Sequence, residues 1–223
     1  KYAKCRELSY EEIEEKIKAG VPYVVRLKSP GKEDRRISFN DGIKGKIEMP
    51  ENVTDIVLLK TDGIPTYHFA HAVDDHLMGT TDVIRGDEWI SSVPIHLQLF
   101  EVLGFKVPSY SHISPIMKED AETGGKRKLS KRKDPEAAVS YYHEVGYPKE
   151  AVLEYLLTIA NSNYEQWRSE NPKADRESFE FTLKNMSKAG ALFDLMKLTD
   201  ISKTYISKLD ADEVLNAVTA WAE

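Results

Sequence analysis

The residues best suited to chemistry in this sequence are the basic ones of "KRKLSKRKD", a stretch that begins at Lys126 and holds six basic residues in nine positions. A solvated face or a nucleic-acid patch is the ordinary interpretation of such a run. A loop of lysines at the rim of a ligand cleft would instead suit a polyphosphate whose negative charge grows during reaction. On that interpretation Leu129 anchors the loop, Lys128 and Lys131 reach the phosphates, and the preceding Gly-Gly pair gives mobility.

Arg85 is a second candidate, because it stands at the end of a short apolar strand in "IRGDEW". Arginine is the side chain best shaped to hold a carboxylate with two hydrogen bonds. Tyr67 begins the neighbouring helix and could add a hydroxyl to the same pocket. A surface position for Arg85 and core packing for Tyr67 are the alternatives.

The same helix carries three histidines, His68, His71 and His76, near Asp74 and Asp75, which are possible metal ligands. On a helix, residues three or four positions apart share a face, so ligation is sterically possible. Polar residues that face a substrate cleft are the preferred interpretation. The sequence therefore predicts no metal site here.

The elements that must position these residues follow the rhythm of a parallel α/β layer. Strands are predicted at 55–60, 81–86 and 110–117, with helices at 66–79 and 91–104 between them. Ligands in such sheets bind beyond the carboxyl ends of the strands. That rule points to residues 63–66, 85–89 and 117–132.

The flanking segments differ from this layer. Upstream, Ser9 and Glu12 form a capping-box start for a helix, and strands at 21–28, 35–41 and 45–49 complete a small α+β unit. After residue 134 the pattern is helical, with helices predicted at 136–146, 149–161, after Thr182, and at 210–223.

Composition excludes several classes of protein. The chain of 223 residues is 41% hydrophobic and 30% charged, which is typical of one large or two small globular domains. No apolar run approaches the roughly 20 residues of a membrane span, and no secretory signal is present. The net charge of −6 argues against a wrapping nucleic-acid binder, so any contact with RNA must use local basic patches, and DNA is not an expected partner.

The single cysteine, Cys5, cannot form an internal disulfide, which fits a reducing cytoplasm. Structural zinc takes four ligands, so no zinc is expected within this chain.

Two stretches carry a resemblance to a known family. "KLSKR" resembles the second signature of class I aminoacyl-tRNA synthetases, the "KMSKS" loop. "LLKTDGIPTYHFAHAVDDHLMGTTDVIRGDEW" resembles the corresponding stretch of bacterial glutamyl-tRNA synthetases, and the similarity extends through "PIHLQLFEVLGF" and "YPKEAVLEYLL". It covers residues 2–206. The loop alone would be a weak signal, but the loop and the long stretch before it, in order and at the right separation, are a strong one.

The resemblance implies an α/β fold, namely the second half of a dinucleotide-fold (Rossmann-like) parallel-sheet catalytic domain. Residues 1–53 would be the end of an acceptor-stem-binding α+β insertion, and 54–125 the second half of the catalytic sheet. Residues 126–205 would hold the KMSKS-type loop and an all-α stem-contact domain, and 206–223 would enter the anticodon-binding region. The implied reaction is ATP-dependent attachment of glutamate to tRNA through a glutamyl-adenylate, with magnesium carried by ATP, in the cytoplasm.

The same resemblance assigns roles to individual residues. Lys128 and Lys131 would bind ATP, with Lys131 nearest the reacting phosphates, and Ser130 would fix the loop. The full ATP-binding set would be Lys128, Leu129, Ser130, Lys131, Arg132 and Trp89. The glutamate pocket would comprise Tyr67, His71 and Arg85, and the tRNA 3′ end would be bordered by Glu88 and Trp89.

One departure from the family pattern is the absence of a His-x-Gly-His signature. The chain is therefore expected to begin after that motif and to be inactive alone. A glutaminyl enzyme, a homologue that glutamylates a modified tRNA base, and a non-catalytic RNA-binding module are the alternatives. A neutral glutamine amide would leave Arg85 facing no anion, which favours glutamate.

Overall fold

The computed structural model describes residues 2–120 and 123–222, and they fall into two compact units. The first unit extends to His112 and the second begins at Ile113. Within the described residues, no helix combines the length and the apolar character that crossing a membrane requires.

The first unit contains strands and helices in alternation. Its strands are β1 (Val25–Arg26), β2 (Arg36–Asp41), β3 (Gly45–Pro50), β4 (Val57–Leu59), β5 (Asp82–Gly86) and β6 (Ser109–Ile113). Its helices are α1 (Tyr10–Lys18), α2 (Tyr67–Met78) and α3 (Val93–Leu103), and a short 3-10 helix, Asp87–Ser92, precedes α3.

Four strands form one mixed sheet in the order β3-β2-β6-β5, and this sheet places the main polar cluster of the unit. β2 and β3 form an antiparallel hairpin, while β2 runs parallel to β6 with Asp41 opposite Tyr110. Gly42 permits this junction, because a Cβ there would lie 2.2 Å from Ser111 Oγ. A residue without a side chain at position 42 therefore leaves space for the buried Ser111 hydroxyl.

The core of the first unit lies beneath α2 and α3. Leu27, Ala72, Leu99 and Phe100 are buried together there. Both helices end at a left-handed glycine, Gly79 with φ 67° and Gly104 with φ 69°, as the sequence predicts. These stops orient the chain into β5 and toward β6.

The second unit is mainly helical. Its strands are β7 (Met117–Glu119) and β8 (Lys126–Lys128), which pair antiparallel. Its helices are α4 (Val139–Glu144), α5 (Lys149–Ala160), α6 (Tyr164–Glu170), α7 (Leu195–Ile206) and α8 (Ala211–Ala222). The core comprises Tyr155, Phe193 and Leu198.

The fold class is confirmed as α/β followed by helices, and the alternation β4-α2-β5-α3-β6 is as predicted. The capping box of α1 is also confirmed: Glu12 N donates to Ser9 Oγ and Ser9 N to Glu12 Oε2. β4, however, pairs with β1 and not with the four-stranded sheet.

Several local predictions were wrong. The strand predicted at 21–28 is only Val25–Arg26, and the one at 110–117 divides into β6 and β7, since Pro115 lacks an N–H for a sheet ladder. The helix predicted after Thr182 is a 3-10 turn, Leu183–Asn185. Asn185 and Ser187 favour turns over helix interiors. Helices α6 and α7 were not predicted from the sequence.

Candidate functional site

Arg85 lies at the end of β5 and its guanidinium is fixed by two histidines. Nε donates to His112 Nε2 at 3.1 Å, and Nη2 lies 3.2 Å from His96 Nδ1. The guanidinium carbon lies 4.9 Å from the ring centroid of Tyr110. Nη1 is buried and has no hydrogen-bond partner among the described residues. A buried cationic donor without a partner is costly, which marks this atom as one suited to an anionic group.

The first of these histidines is held in turn by a carboxylate. His112 Nδ1 lies 2.5 Å from Asp41 Oδ2, and both side chains are fully buried. A carboxylate accepts hydrogens and an arginine only donates them, so His112 carries its hydrogen on Nδ1 and accepts at Nε2. Burial raises the pKa of the Asp41 carboxyl, but hydrogen bonds from Lys44 N–H and from His112 outweigh burial and leave the pKa below its usual value.

The second histidine continues the chain of hydrogen bonds. Because His96 Nδ1 accepts from Arg85, its hydrogen is on Nε2, which lies 2.9 Å from His68 Nδ1. Burial, with the nearby charges of His71 and Arg85, lowers the pKa of His96 to about 2. Burial and Arg85 also lower the pKa of His68. His96 is therefore a neutral acceptor for Arg85 at ordinary pH.

His71 lies in the same cluster, one turn beyond Tyr67. Its Nε2 is 2.9 Å from the hydroxyl of Tyr110, and its Nδ1 is 2.9 Å from Asp75 Oδ2 without hydrogen-bond alignment. Burial lowers the pKa of His71 and raises that of Tyr110. Among the described residues no group of three His, Cys, Asp or Glu side chains is arranged to hold a metal ion.

Aromatic rings form the outer part of the cluster. The rings of Tyr67 and Trp89 stack with centroids 4.4 Å apart, and Tyr67 is 51% exposed. The Arg85 guanidinium carbon is 5.8 Å from the Trp89 ring centroid. The structure thus brings Tyr67, His71, Arg85 and Trp89 together, with a flat aromatic surface beside a buried cation.

Glu88 is exposed at the edge of this cluster. A Cβ on Gly86 would lie 2.1 Å from Glu88 Oε2, so the carboxylate is folded over the Gly86 backbone. The short 3-10 helix that begins at Asp87 carries both Glu88 and Trp89.

The basic segment in the second unit is organised by one carboxylate. Arg127 donates to both oxygens of Asp134, at 2.6 and 2.7 Å, and Ser130 N donates to Asp134 Oδ2 at 2.8 Å. The Arg127 hydrogen bonds lower the pKa of Asp134. Lys118 pairs with Glu136 and lies 3.4 Å from Asp134. Part of the positive charge of the run is therefore structural.

The remaining cations of the segment face outward. The predicted loop begins later than expected, because Lys128 belongs to β8 and pairs with Met117. Leu129 N donates to Ile116 O at 2.8 Å, which holds the backbone at the turn. Lys128, Lys131 and Arg132 are exposed, and Ser130 Oγ accepts from Arg132 N at 3.3 Å. The fold of the segment presents these cations as a group.

Sequence reasoning missed the residues behind these sites. Asp41, His96, Tyr110 and His112 in the first unit and Asp134 in the second were not singled out. Two of these residues could have been predicted from the sequence, because His96 interrupts the apolar helix "VPIHLQLF" and His112 lies in a predicted strand. Polar side chains in apolar elements require buried partners.

Comparison with known proteins defines the class. Residues 1–200 match the family of class I tRNA synthetases (E and Q), catalytic domain. The chain belongs to that family.

Two curated relatives are glutamate–tRNA ligases. The chain is 61% identical over its whole length to the glutamate–tRNA ligase of Clostridium beijerinckii and 57% identical to that of Clostridium perfringens. It spans about 40% of the length of these curated relatives.

Two solved structures are similar to this chain over most of its length. A glutamate tRNA ligase from Elizabethkingia meningosepticum, in complex with its amino acid, matches 94% of this chain and 43% of its own, with TM-score 0.75 and 34% identity. The glutamate-tRNA synthetase of Elizabethkingia anophelis matches 94% of this chain and 44% of its own, with TM-score 0.77 and 33% identity.

Proposed function

We propose that the protein containing this chain attaches glutamate to tRNA, by forming a glutamyl-adenylate from ATP and passing the glutamyl group to the tRNA. The observation that carries the proposal is Arg85, a buried arginine with two N–H groups engaged by neutral histidines and a buried Nη1 without a partner in the described chain. Membership of the class I tRNA synthetase family and the names of the relatives support it.

The glutamate side chain is recognised through charge. Arg85 supplies N–H donors for the side-chain carboxylate, and Tyr67 and His71 line the same pocket. A charge-assisted hydrogen bond contributes roughly 1.5–3 kcal/mol, and a neutral amide would leave the cation unpaired. The site therefore prefers glutamate to glutamine.

ATP is bound through the basic segment. The ATP-binding residues of this segment are Lys128, Leu129, Ser130, Lys131 and Arg132. Trp89, in the first unit, is a further residue proposed to bind ATP. Lys128 and Lys131 stabilise the charge that develops on the leaving pyrophosphate, with Mg²⁺ accompanying ATP. The exposure of the three cations and the rigid turn behind them support this assignment.

The tRNA is contacted by several segments. Glu88 and Trp89 border the 3′ end, residues 1–53 belong to an acceptor-stem-binding insertion, and residues 54–125 belong to the second half of the catalytic domain. Residues 126–205 contact the stem, and 206–223 lead toward the anticodon. The reaction takes place in the cytoplasm, where tRNA charging supplies protein synthesis.

The test is ATP–pyrophosphate exchange by the protein that contains this chain, with glutamate and with glutamine as the amino acid. Arg85→Ala should lower kcat/KM for glutamate by at least about 10²-fold, because two charge-assisted bonds are lost and each 1.4 kcal/mol is tenfold. Arg85→Gln should narrow the preference for glutamate over glutamine. The KM for ATP should change little in either variant.

Arg36→Ala is the matched control, because Arg36 lies in the same sheet but makes an exposed ion pair with Glu48. Exposed pairs contribute little. Unchanged glutamate kinetics in both Arg85 variants, or exchange with neither amino acid in the wild type, would contradict the proposal.

A further inference from the structure

Behind Arg85 lies a buried carboxylate–imidazole pair that makes none of the proposed contacts with glutamate, ATP or tRNA. We propose that Asp41 and His112 are positioning residues for substrate selection: Asp41 fixes the tautomer of His112, and His112 thereby fixes the orientation in which Arg85 meets the glutamate side chain. This inference rests on the proposed function, because Arg85 is its substrate-binding group.

The pair is well suited to hold a fixed orientation. The side chains of Asp41 and His112 are both 0% exposed, and Arg85 joins them through a 3.1 Å hydrogen bond. All three groups hydrogen-bond in one direction, from Arg85 Nε–H to His112 Nε2 and from His112 Nδ1–H to Asp41 Oδ2. Moving the His112 hydrogen from Nδ1 to Nε2 would bring two donors face to face at Arg85.

In this orientation some N–H donors of Arg85 remain for a ligand. A guanidinium has five N–H donors, and the imidazoles of His112 and His96 engage one on Nε and one on Nη2. Both hydrogens of Nη1 and one of Nη2 remain, and Nη1 is the buried nitrogen that has no partner in the described chain. N–H donors on the two terminal nitrogens match the two oxygens of a carboxylate.

The sheet builds this arrangement from residues far apart in the chain. Asp41 ends β2 where that strand pairs with β6, and Gly42 allows the close approach to Ser111. Backbone N–H groups of Ile43 and Lys44 donate to Asp41 Oδ1 at 2.9 and 2.8 Å. Oδ2 faces His112 Nδ1, and the backbone N–H of His112 is shared between the two oxygens, at 3.2 Å from Oδ1 and 3.1 Å from Oδ2. The carboxylate is thus fixed by its own turn and cannot rotate freely.

This division of the two oxygens makes Asp41→Asn an informative substitution. The amide oxygen must take the place of Oδ1, because the Ile43 and Lys44 N–H groups require an acceptor. The amide nitrogen then faces His112 Nδ1 and donates to it. His112 must carry its hydrogen on Nε2, where it opposes the Nε–H of Arg85.

Two measurements on the protein that contains this chain test the inference. The first is the nitrogen NMR signature of His112, which should change from a hydrogen on Nδ1 in the wild type to one on Nε2 in Asp41→Asn. The second is pyrophosphate exchange, in which the KM for glutamate should rise by about tenfold or more while the KM for ATP is retained. Asp175→Asn is the control, because Asp175 likewise accepts a backbone N–H, from Glu177, but has no hydrogen bond to a histidine among the described residues.

A second pair of variants tests the inference where Asp41→Asn does not fold. His112→Gln presents one amide N–H toward Asp41 and one amide oxygen toward Arg85, so it retains the direction of both hydrogen bonds. His112→Leu retains neither. The KM for glutamate should therefore be several-fold lower in His112→Gln than in His112→Leu, with both variants checked by thermal unfolding.

The outcomes separate this inference from the proposed function. An unchanged tautomer in Asp41→Asn, an inverted tautomer with an unchanged KM for glutamate, or equal KM values in the two His112 variants would overturn the positioning role. Loss of glutamate-dependent exchange already in the wild type would instead reject the proposed function, a result that the tautomer measurement does not depend on.

Discussion

Asp134 holds Arg127 through both carboxylate oxygens, at 2.6 and 2.7 Å, although the two residues belong to the same short basic run. The same carboxylate accepts from Ser130 N at 2.8 Å and closes the turn between them. The one acid at the end of the run therefore neutralises a structural arginine and shapes the backbone from which Lys131 and Arg132 project. This relationship yields a stability prediction and an activity prediction.

Asp134→Asn should make the protein less sensitive to acid. The pKa of Asp134 is lowered from 3.8 in the folded state, chiefly by Arg127, so its stabilising contribution is complete above that value. This contribution is lost as the pH falls through the pKa of Asp134 in the folded state, which lies below 3.8. Below about pH 4 the melting temperature of the wild type should therefore fall more steeply than that of the variant. Asp212→Asn, at an exposed position in α8, should leave the wild-type slope unchanged, and an equal slope in Asp134→Asn would argue against the role of the pair.

Lys131→Ala should slow adenylate formation far more than it weakens glutamate binding. The lysine meets charge that develops on the leaving pyrophosphate, and loss of one such donor costs on the order of 10²–10³ in rate. Single-turnover adenylation by the protein containing this chain measures the effect directly.

Lys133→Ala provides the comparison for that experiment, because Lys133 is an exposed lysine of the same turn. It should retain most of the rate. If both variants react at the wild-type rate, the basic segment is a solvated or RNA-facing surface and not part of the phosphate site.

Gly42→Ala should destabilise the sheet junction. A methyl group there would lie 2.2 Å from Ser111 Oγ but 3.7 Å from Tyr110 O, so the buried Ser111 hydroxyl would have to move, at a cost of about 1–3 kcal/mol. Urea unfolding of Gly42→Ala and of the double variant Gly42→Ala with Ser111→Ala shows whether the Ser111 hydroxyl is the cause. Removing the hydroxyl should recover much of the lost free energy of unfolding. Gly125→Ala should cost much less, because within the described part of the chain its Cβ would meet only Thr123 Oγ1, at 3.4 Å. A loss of equal size in the combined variant would assign the effect to the backbone and not to this contact.

His96 should make stability fall on mild acidification. Its pKa is lowered to about 2 in the folded state, so below about pH 6.5 the unfolded chain binds a proton that the folded chain does not. Between pH 7 and pH 5 this group should cost about 2 kcal/mol of unfolding free energy. His96→Gln keeps an acceptor for Arg85 but does not titrate, so its unfolding free energy should depend less on pH by about that amount. The same pH dependence in both proteins would contradict a neutral, buried His96.

The features that the sequence determined by itself depend on neighbours within a few residues. The capping box of Ser9 and Glu12 forms because both partners lie in one turn of helix, and α2 and α3 end at glycines that accept a left-handed backbone. Arg85 was found because the end of a predicted strand is where an α/β sheet presents side chains to ligands. The basic segment was recognised as a unit because its residues are contiguous, although its first residues form a strand.

Tertiary structure decided everything that depends on which strands pair and in what register. Asp41 and His112 are 71 positions apart, and no local pattern in either segment specifies their contact. A shift of one residue between paired strands would turn a side chain to the other face, so the meeting of these two residues follows from the β2–β6 register and from the space left at Gly42. Tertiary structure also decided which nitrogens of Arg85 are hydrogen-bonded, that His96 is neutral, and that β4 pairs with β1. Each of these depends on burial or on long-range pairing, which arise only when the chain has folded.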